Sequence, residues 1–557
     1  MSKFVCPILL ACLAVGIVCF GTGGGKPETP STVVNTCCDT FDRTDGFTSL
    51  REAIVNAKKG DTITFAGIPG GTIIELEQGC LKIDKGITID ARSNPQFKYG
   101  GITIYGRGKD RIFTVAVPPG SGGAELIGLV VTGGKAEYGG GILVDRSALT
   151  LTDTAVIGNS ADKSGGGIYV KRGALTMTNS AVSGNFTEGS GGGIGTSFGS
   201  GCGGGRCDLT IADSTVSRNS AGGWGGGICS CLDTASIINT EIVGNVARIS
   251  GGGMIVPAGE LRIADSTISE NSAGKGGGVA TSFGSFGYGG GSGRSWLTIT
   301  DSAITRNAAG HDVGGGICND RFLSVVGSTI SGNIADGNGG GFHNQGTLTI
   351  VGSTISDNTT IAGSGGGGFN TESLTLRNSV VSGNFAYLGG GLSDVDGTMS
   401  LTNVTVAGNS SRSGGGVDVS GEIEMFNSIV AMNKSRDDGG DLCGPLADRI
   451  SGSNNMVGGE PGFAAAPVFE IIRLPNGCRS DRCLPFVEKW KLSNADALDL
   501  SLLEGSAAID AGSNDAAEAE TDLAGNPRIA GAAVDLGAYE YQGNPGAAES
   551  ARESAAQ

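Results

Sequence analysis

Histidine is almost missing from this 557-residue chain, which has only His311 and His343. No CxxC motif occurs either, so the cysteine pairs give little support to a zinc site of the usual cysteine and histidine kind. Aromatic residues make up 5 % and charged residues 17 % of the chain. Basic residues are the scarcer sign, 38 Lys and Arg against 55 Asp and Glu, for a net charge of −17. That balance excludes nucleic acid as a partner, because phosphates are held by Lys and Arg, and it disfavours other polyanions. Long apolar runs are confined to Phe4–Phe20, preceded by Lys3 and followed by a Gly-rich stretch. Residues 1–23 therefore read as a secretory signal peptide, and no later segment is long and apolar enough to span a bilayer.

The cysteines agree with an oxidising destination. Of 14, Cys6, Cys12 and Cys19 leave with the leader, so the eleven that remain cannot all pair within the chain. Cys202 with Cys207 and Cys478 with Cys483 are close enough in sequence to close small loops, and both are expected disulfides.

What the chain has in excess is glycine, 103 residues, and a recurring asparagine. Asn159, Asn185, Asn219, Asn245, Asn271, Asn307, Asn333, Asn358, Asn384, Asn409 and Asn433 follow one another at intervals of 26, 34, 26, 26, 36, 26, 25, 26, 25 and 24. Six residues before each stands Asp, Asn or Gly, and five to seven residues after each comes a glycine run such as Gly339-Gly340-Gly341. A fixed period in the twenties marks a solenoid. Within one unit, Leu261-Arg262-Ile263 and Thr267-Ile268-Ser269 alternate apolar and polar, the pattern of strands with one face inside. Asx and Gly accept left-handed backbone, so they mark bends between those strands.

These features predict an all-β chain wound as a right-handed parallel β-helix of about twelve or more coils, a rod of roughly 55 to 60 Å at ~4.8 Å per coil. The asparagines form a stacked amide ladder, each donating to the next along the axis. They are scaffold, and the Asn-x-Ser/Thr sequons at Asn185, Asn358, Asn409 and Asn433 are buried with them. Ser49 and Glu52 have capping-box spacing, and Leu50, Ala53, Ile54 and Ala57 form one apolar stripe, so a short helix is expected to cover the open edge of the first coil. The resulting division is a signal peptide (1–23), a linker and N-terminal cap (24–60), the parallel β-helix (61–440), an irregular C-terminal cap (441–542) and a disordered tail (543–557).

Three stretches carry resemblances. Ser49 to Ala53 with the strand after it resembles the CSLREA domain found near the start of secreted bacterial β-helix proteins, although Thr48 stands where that family has its cysteine. The cadence of Val182-Ser183-Gly184-Asn185 and Gly191-Gly192-Gly193-Ile194 is similar to the repeats of chlamydial polymorphic outer-membrane proteins, which build adhesin passengers. Ile509-Asp510-Ala511-Gly512, Gly525-Asn526-Pro527-Arg528 and Asp535-Leu536-Gly537-Ala538-Tyr539-Glu540 together resemble the choice-of-anchor Q domain that ends surface β-helices. Here Arg528 among Asp510, Asp535 and Glu540 suggests a structural ion-pair knot.

Two longer coils carry insertions at the same corner, Thr196–Cys207 and Thr281–Trp296. Either they are tolerated surface loops, or they wall a shallow groove. In the second case Phe198, Phe283, Phe286, Tyr288 and Trp296 are stacking surfaces for a sugar or peptide, and Arg206 and Arg294 are donors. Asp394, Asp396 and Asp418 follow the glycine runs of neighbouring coils and are the candidate Ca²⁺ ligands; no other cofactor is indicated. Parallel β-helices also host pectate lyases, polygalacturonases and epimerases, but the chain has neither Gly-His-Gly nor Arg-Ile-Lys. The sequence therefore points to a secreted or bacterial cell-surface binding and structural module, adhesin-like, whose partner is a surface glycan or protein. The alternative is a polysaccharide lyase or hydrolase on the same fold.

Overall fold

A computed structural model describes residues 31–93, 101–197, 208–230, 234–282, 296–310, 313–444, 451–461, 463–465, 469–473, 488–492, 498–517 and 519–542. One coil shows how the repeat folds. Trp296–Thr300 and Ala303–Thr305 lie in the widest sheet, Ala308–Ala309 turns into a second, and Ile317–Asn319 enters the third. Three left-handed residues make the corners, Asp301 (φ 47°), Arg306 (φ 53°) and Gly314 (φ 71°). The Asx bend and the glycine bend are the two expected from sequence. The bend at the residue just before each ladder asparagine is an addition, occupied by Gly in several coils and by Arg218, Glu270, Arg306, Asp357 or Met432 in others.

Repeating this path gives a right-handed parallel β-solenoid with sheets of 29, 14 and 12 strands among the described residues; the 14-strand sheet has one strand per turn. Register is strict. Leu261, Leu297, Leu323 and Leu348 lie over one another and Ile263, Ile299, Val325 and Ile350 form the next row, all buried. Each inner row touches its equivalents above and below, so one apolar column runs from Val34 to Val430.

The glycine run has a steric cause at each place. Gly339 is left-handed (φ 73°). A Cβ on Gly340 would lie 2.5 Å from the Gly366 carbonyl oxygen, and one on Gly341 would lie 2.4 Å from the Gly367 carbonyl oxygen and 3.0 Å from the Asn358 amide. Gly340 and Gly341 pass so close to the next coil, and Gly339 so close to the Phe342 carbonyl of its own, that only hydrogen fits.

The N-terminal end is closed by α1 (Leu50–Asn56), with Leu50, Ala53, Ile54 and Ala57 buried against the first coils. Its capping box is formed. The Ser49 hydroxyl accepts from the Glu52 N–H, and the Glu52 carboxylate accepts from the Ser49 N–H. Lys85 Nζ donates to the carbonyls of Val55 and Ala57 at 3.0 and 2.9 Å, satisfying the far end. Arg51 makes a bidentate pair with Asp39 at 2.8 Å on each arm, and Asp39 Oδ2 also accepts from the N–H groups of Glu77 and Gln78. Burial raises the Asp39 pKa, but Arg51 and the two amides outweigh it and hold the carboxyl below its usual range.

The solenoid outruns its expected limits at both ends. Val33–Val34 pairs with Thr64 and Phe65 as a first rung inside the expected linker, because the buried Val34 fills the end of the column. At the other end Leu442–Cys443, Ser451–Ser453 and Met456–Val457 continue the ladders beyond residue 440.

The segment expected to cap the last coil lies along its flank. Val380, Ala407, Ile429 and Ala431 face outward from the widest sheet and are buried under Leu500, Leu502, Ala508, Leu536 and Ala538. The bend asparagines hold it there. Asn427 donates to the Ser513 carbonyl at 3.0 Å and accepts from the Ser513 N–H at 2.8 Å, and Asn378 donates to the Thr521 carbonyl at 3.0 Å. Residues 1–23, the pairs Cys202/Cys207 and Cys478/Cys483, and the tail 543–557 lie outside the described residues.

Candidate functional site

Two interior ladders determine what is free to act outside. Each ladder asparagine donates from Nδ2 to Oδ1 of the next, from Asn159 through Asn433, at 2.9 to 3.1 Å. The same Oδ1 accepts the preceding asparagine's backbone N–H, as in Asn271 to Asn307 at 3.0 Å. Every ladder amide is thus satisfied by its neighbours, leaving none to hold a ligand. Because the amide-to-amide bonds all run toward the C-terminal end, while each Nδ2 also donates to a carbonyl of the preceding coil, the final residue need only accept. Asp441 does this for Asn433, at 2.8 Å from the N–H and 3.0 Å from Nδ2.

A second amide ladder, not singled out in the sequence, runs through Asn319, Asn344, Asn370 and Asp394 at 2.8, 2.7 and 2.5 Å. It too ends on an aspartate. Asp394 is fully buried, and besides the Asn370 amide its carboxyl faces the N–H groups of Gly397 and Gly421. Burial pushes its carboxyl above the usual range, against the lowering effect of the Asn370 amide.

That ladder decides the fate of the proposed Ca²⁺ ligands. Asp394 lies in register with Val419 and turns inward, whereas Asp418 lies in register with Ser393 and turns outward, where it accepts from the Ser393 hydroxyl at 3.4 Å. Asp396 is exposed in a left-handed turn. Alternation along a strand therefore puts Asp394 and Asp418 on opposite faces. Among the described residues no three of His, Cys, Asp and Glu are grouped to hold a metal.

The Arg528 cluster differs from an ion-pair knot in the same way. Arg528 is 1 % exposed, and its Nη2 donates to the carbonyls of Asp535 and Gly537. The acids bind backbone instead: Asp535 accepts from the N–H groups of Asp510 and Tyr541, and Glu540 from those of Ala530 and Asp535. The cluster ties a loop together and offers no open site.

The outer face of the widest sheet is open to a partner. One outward row reads Thr150, Thr176, Thr210, Ser236, Arg262, Thr298, Ser324, Thr349, Thr375 and Ser400, hydroxyls at successive coils with one cation among them. The row beside it contains Trp296 and Phe322, paired in register and stacked with ring centroids 4.7 Å apart and planes 17° from parallel. They are 49 % and 38 % exposed. Of the predicted groove residues Trp296 is placed on this face. Phe198, Arg206, Phe283, Phe286, Tyr288 and Arg294 lie outside the described residues. Phe322 was not foreseen; it stands 26 residues after Trp296, the ladder's own interval, so counting one period would have paired them.

No family model matches the chain, and no curated protein matches it. Among solved structures, a pectate lyase, Pel9A, aligns over 93 % of this chain and 97 % of its own, with 15 % identity and a TM-score of 0.27. No catalytic residue is carried across by that likeness. The β-solenoid itself is compatible with a binding or structural role and with a polysaccharide-active enzyme, and does not distinguish them.

Proposed function

We propose that this chain is a secreted or cell-surface β-solenoid that acts as a rigid spacer and binding module, adhesin-like, with an extracellular glycan or protein as its partner. The supporting observation is the hydroxyl row on the widest sheet, which presents the same chemistry at coil after coil. A repeating face suits an extended partner, whereas catalysis needs unlike groups converging on one point. The apolar leader at Phe4–Phe20 supports export.

Glycan-array and whole-cell binding of the purified chain test this reading, with retention on a defined surface as the expected result. In parallel, ultraviolet absorbance is followed on pectate, alginate and chondroitin with Ca²⁺. Growth of unsaturated product in that assay would replace the binding module with a lyase.

A further inference from the structure

The stacked pair has one neighbour in register on each side, and the two sides differ. Before Trp296 stands the exposed, acidic Glu260. After Phe322 the row continues as Thr347, Ser373 and Thr398, each too short to cover a ring. Phe322 thus has Trp296 on one side and only hydroxyl side chains on the other. In the adjoining row Ser324, Thr349 and Thr375 place further hydroxyls two residues along each strand, about 7 Å away.

We propose that the Phe322 face over Thr347 is a binding site for one pyranose ring of a neutral saccharide chain, a deeper form of the binding-module reading and resting on it. An aromatic face takes the axial C–H side of a sugar, and its rim hydroxyls need partners that both donate and accept, as Ser and Thr do. Charge favours a neutral glycan over an acidic one, with Arg262 of the adjoining row set against the acids. Glu260 borders the pair, Glu422 ends the Thr347 row, and the chain carries a net −17. The stacking of Trp296 behind Phe322 fixes the ring before any sugar arrives, which lowers the ordering cost of binding. A peptide would need unpaired backbone to read or a charged anchor, and this part of the sheet has its backbone groups paired to the coils on both sides.

The test is calorimetric titration of the full chain with cellohexaose, xylohexaose, chitohexaose and a galacturonate hexamer, with indole emission recorded alongside. At least one neutral hexamer is expected to bind and to shift the emission of the exposed Trp296 to the blue. Phe322→Ala should weaken it about tenfold. Thr347→Trp, which fills the open side with a ring, should abolish binding while leaving the melting temperature unchanged. The proposal is overturned if no neutral hexamer binds, if only the galacturonate does, or if Phe322→Ala binds as tightly as the parent. Surface retention that survives Phe322→Ala would keep the binding module and remove this site from it.

Discussion

At the scale of single residues, the ladders convert a buried amide from a cost into a link. Asn271 donates from Nδ2 to Ile242 and Asn307, donates its N–H to Asn307, and accepts twice from Asn245. Replacing it with Ala leaves donors and acceptors on both sides unpaired, so Asn271→Ala is expected to destabilise by about 2 to 4 kcal/mol in chemical denaturation. Asp394 is the opposite case, since a carboxylate stands where the pattern wants an amide. Its raised pKa means the folded chain holds the proton more tightly than the unfolded one. That contribution is full below the ordinary aspartate range and is lost as pH rises through the folded value. Asp394→Asn removes the buried charge and is expected to raise the melting temperature near neutral pH, with the gain shrinking toward about pH 4. Melting curves across that range check the sign. Equal curves at every pH would show that Asp394 is already satisfied as a carboxylate.

At the scale of the element, the unit of stability is the contact between consecutive coils. Glycines that look alike in the sequence are not alike here. Gly184 is left-handed (φ 62°), yet a Cβ there meets nothing within 4 Å, while a Cβ on Gly341 strikes the carbonyl of the next coil. Gly184→Ala should therefore cost only the backbone strain, about 1 to 2 kcal/mol. Gly341→Ala should separate two coils and cost several times as much; denaturation midpoints of the two variants, measured together, test the difference. The Asx bends divide similarly. Asp213, Asp265 and Asp301 are exposed corners and Asp153 a half-buried one, whereas Asn378, Asn403 and Asn427 are buried under the C-terminal strap. Asparagine is required at Asn427 because the site must donate to and accept from the same Ser513 backbone.

At the scale of the whole molecule, the strap over the last coils is the part most sensitive to pH. Burial outweighs the two N–H groups that Glu540 accepts and pushes its pKa up to about 7. The folded strap thus prefers a protonated Glu540, and its stability is greatest in mild acid. It falls as pH rises from the ordinary glutamate value through about 7, by on the order of 3 kcal/mol. Protection factors in residues 506–542 should accordingly fall above neutrality, while those of the asparagine ladder between Asn185 and Asn384, far from the aspartates that end the ladders, hold. Loss of protection in both regions together would tie the strap to the solenoid as one unit.

Most of the rod was legible in the sequence. Its period, its Asx and glycine bends, its amide ladder and its capping box depend on neighbours a few residues away or one period away, and repetition copies the same signal many times. The site was much less legible. The partner of Trp296 is Phe322, and Asp394 and Asp418 face opposite ways, because both depend on the register of strands in neighbouring coils. The strap's place on the flank was not legible either. It arises from contacts between residues 86 to 143 positions apart in the chain, which no local pattern records. The sequence by itself determined that this chain winds; tertiary structure decided which side chains meet on the outside, since register couples distant strands only after the coils have stacked.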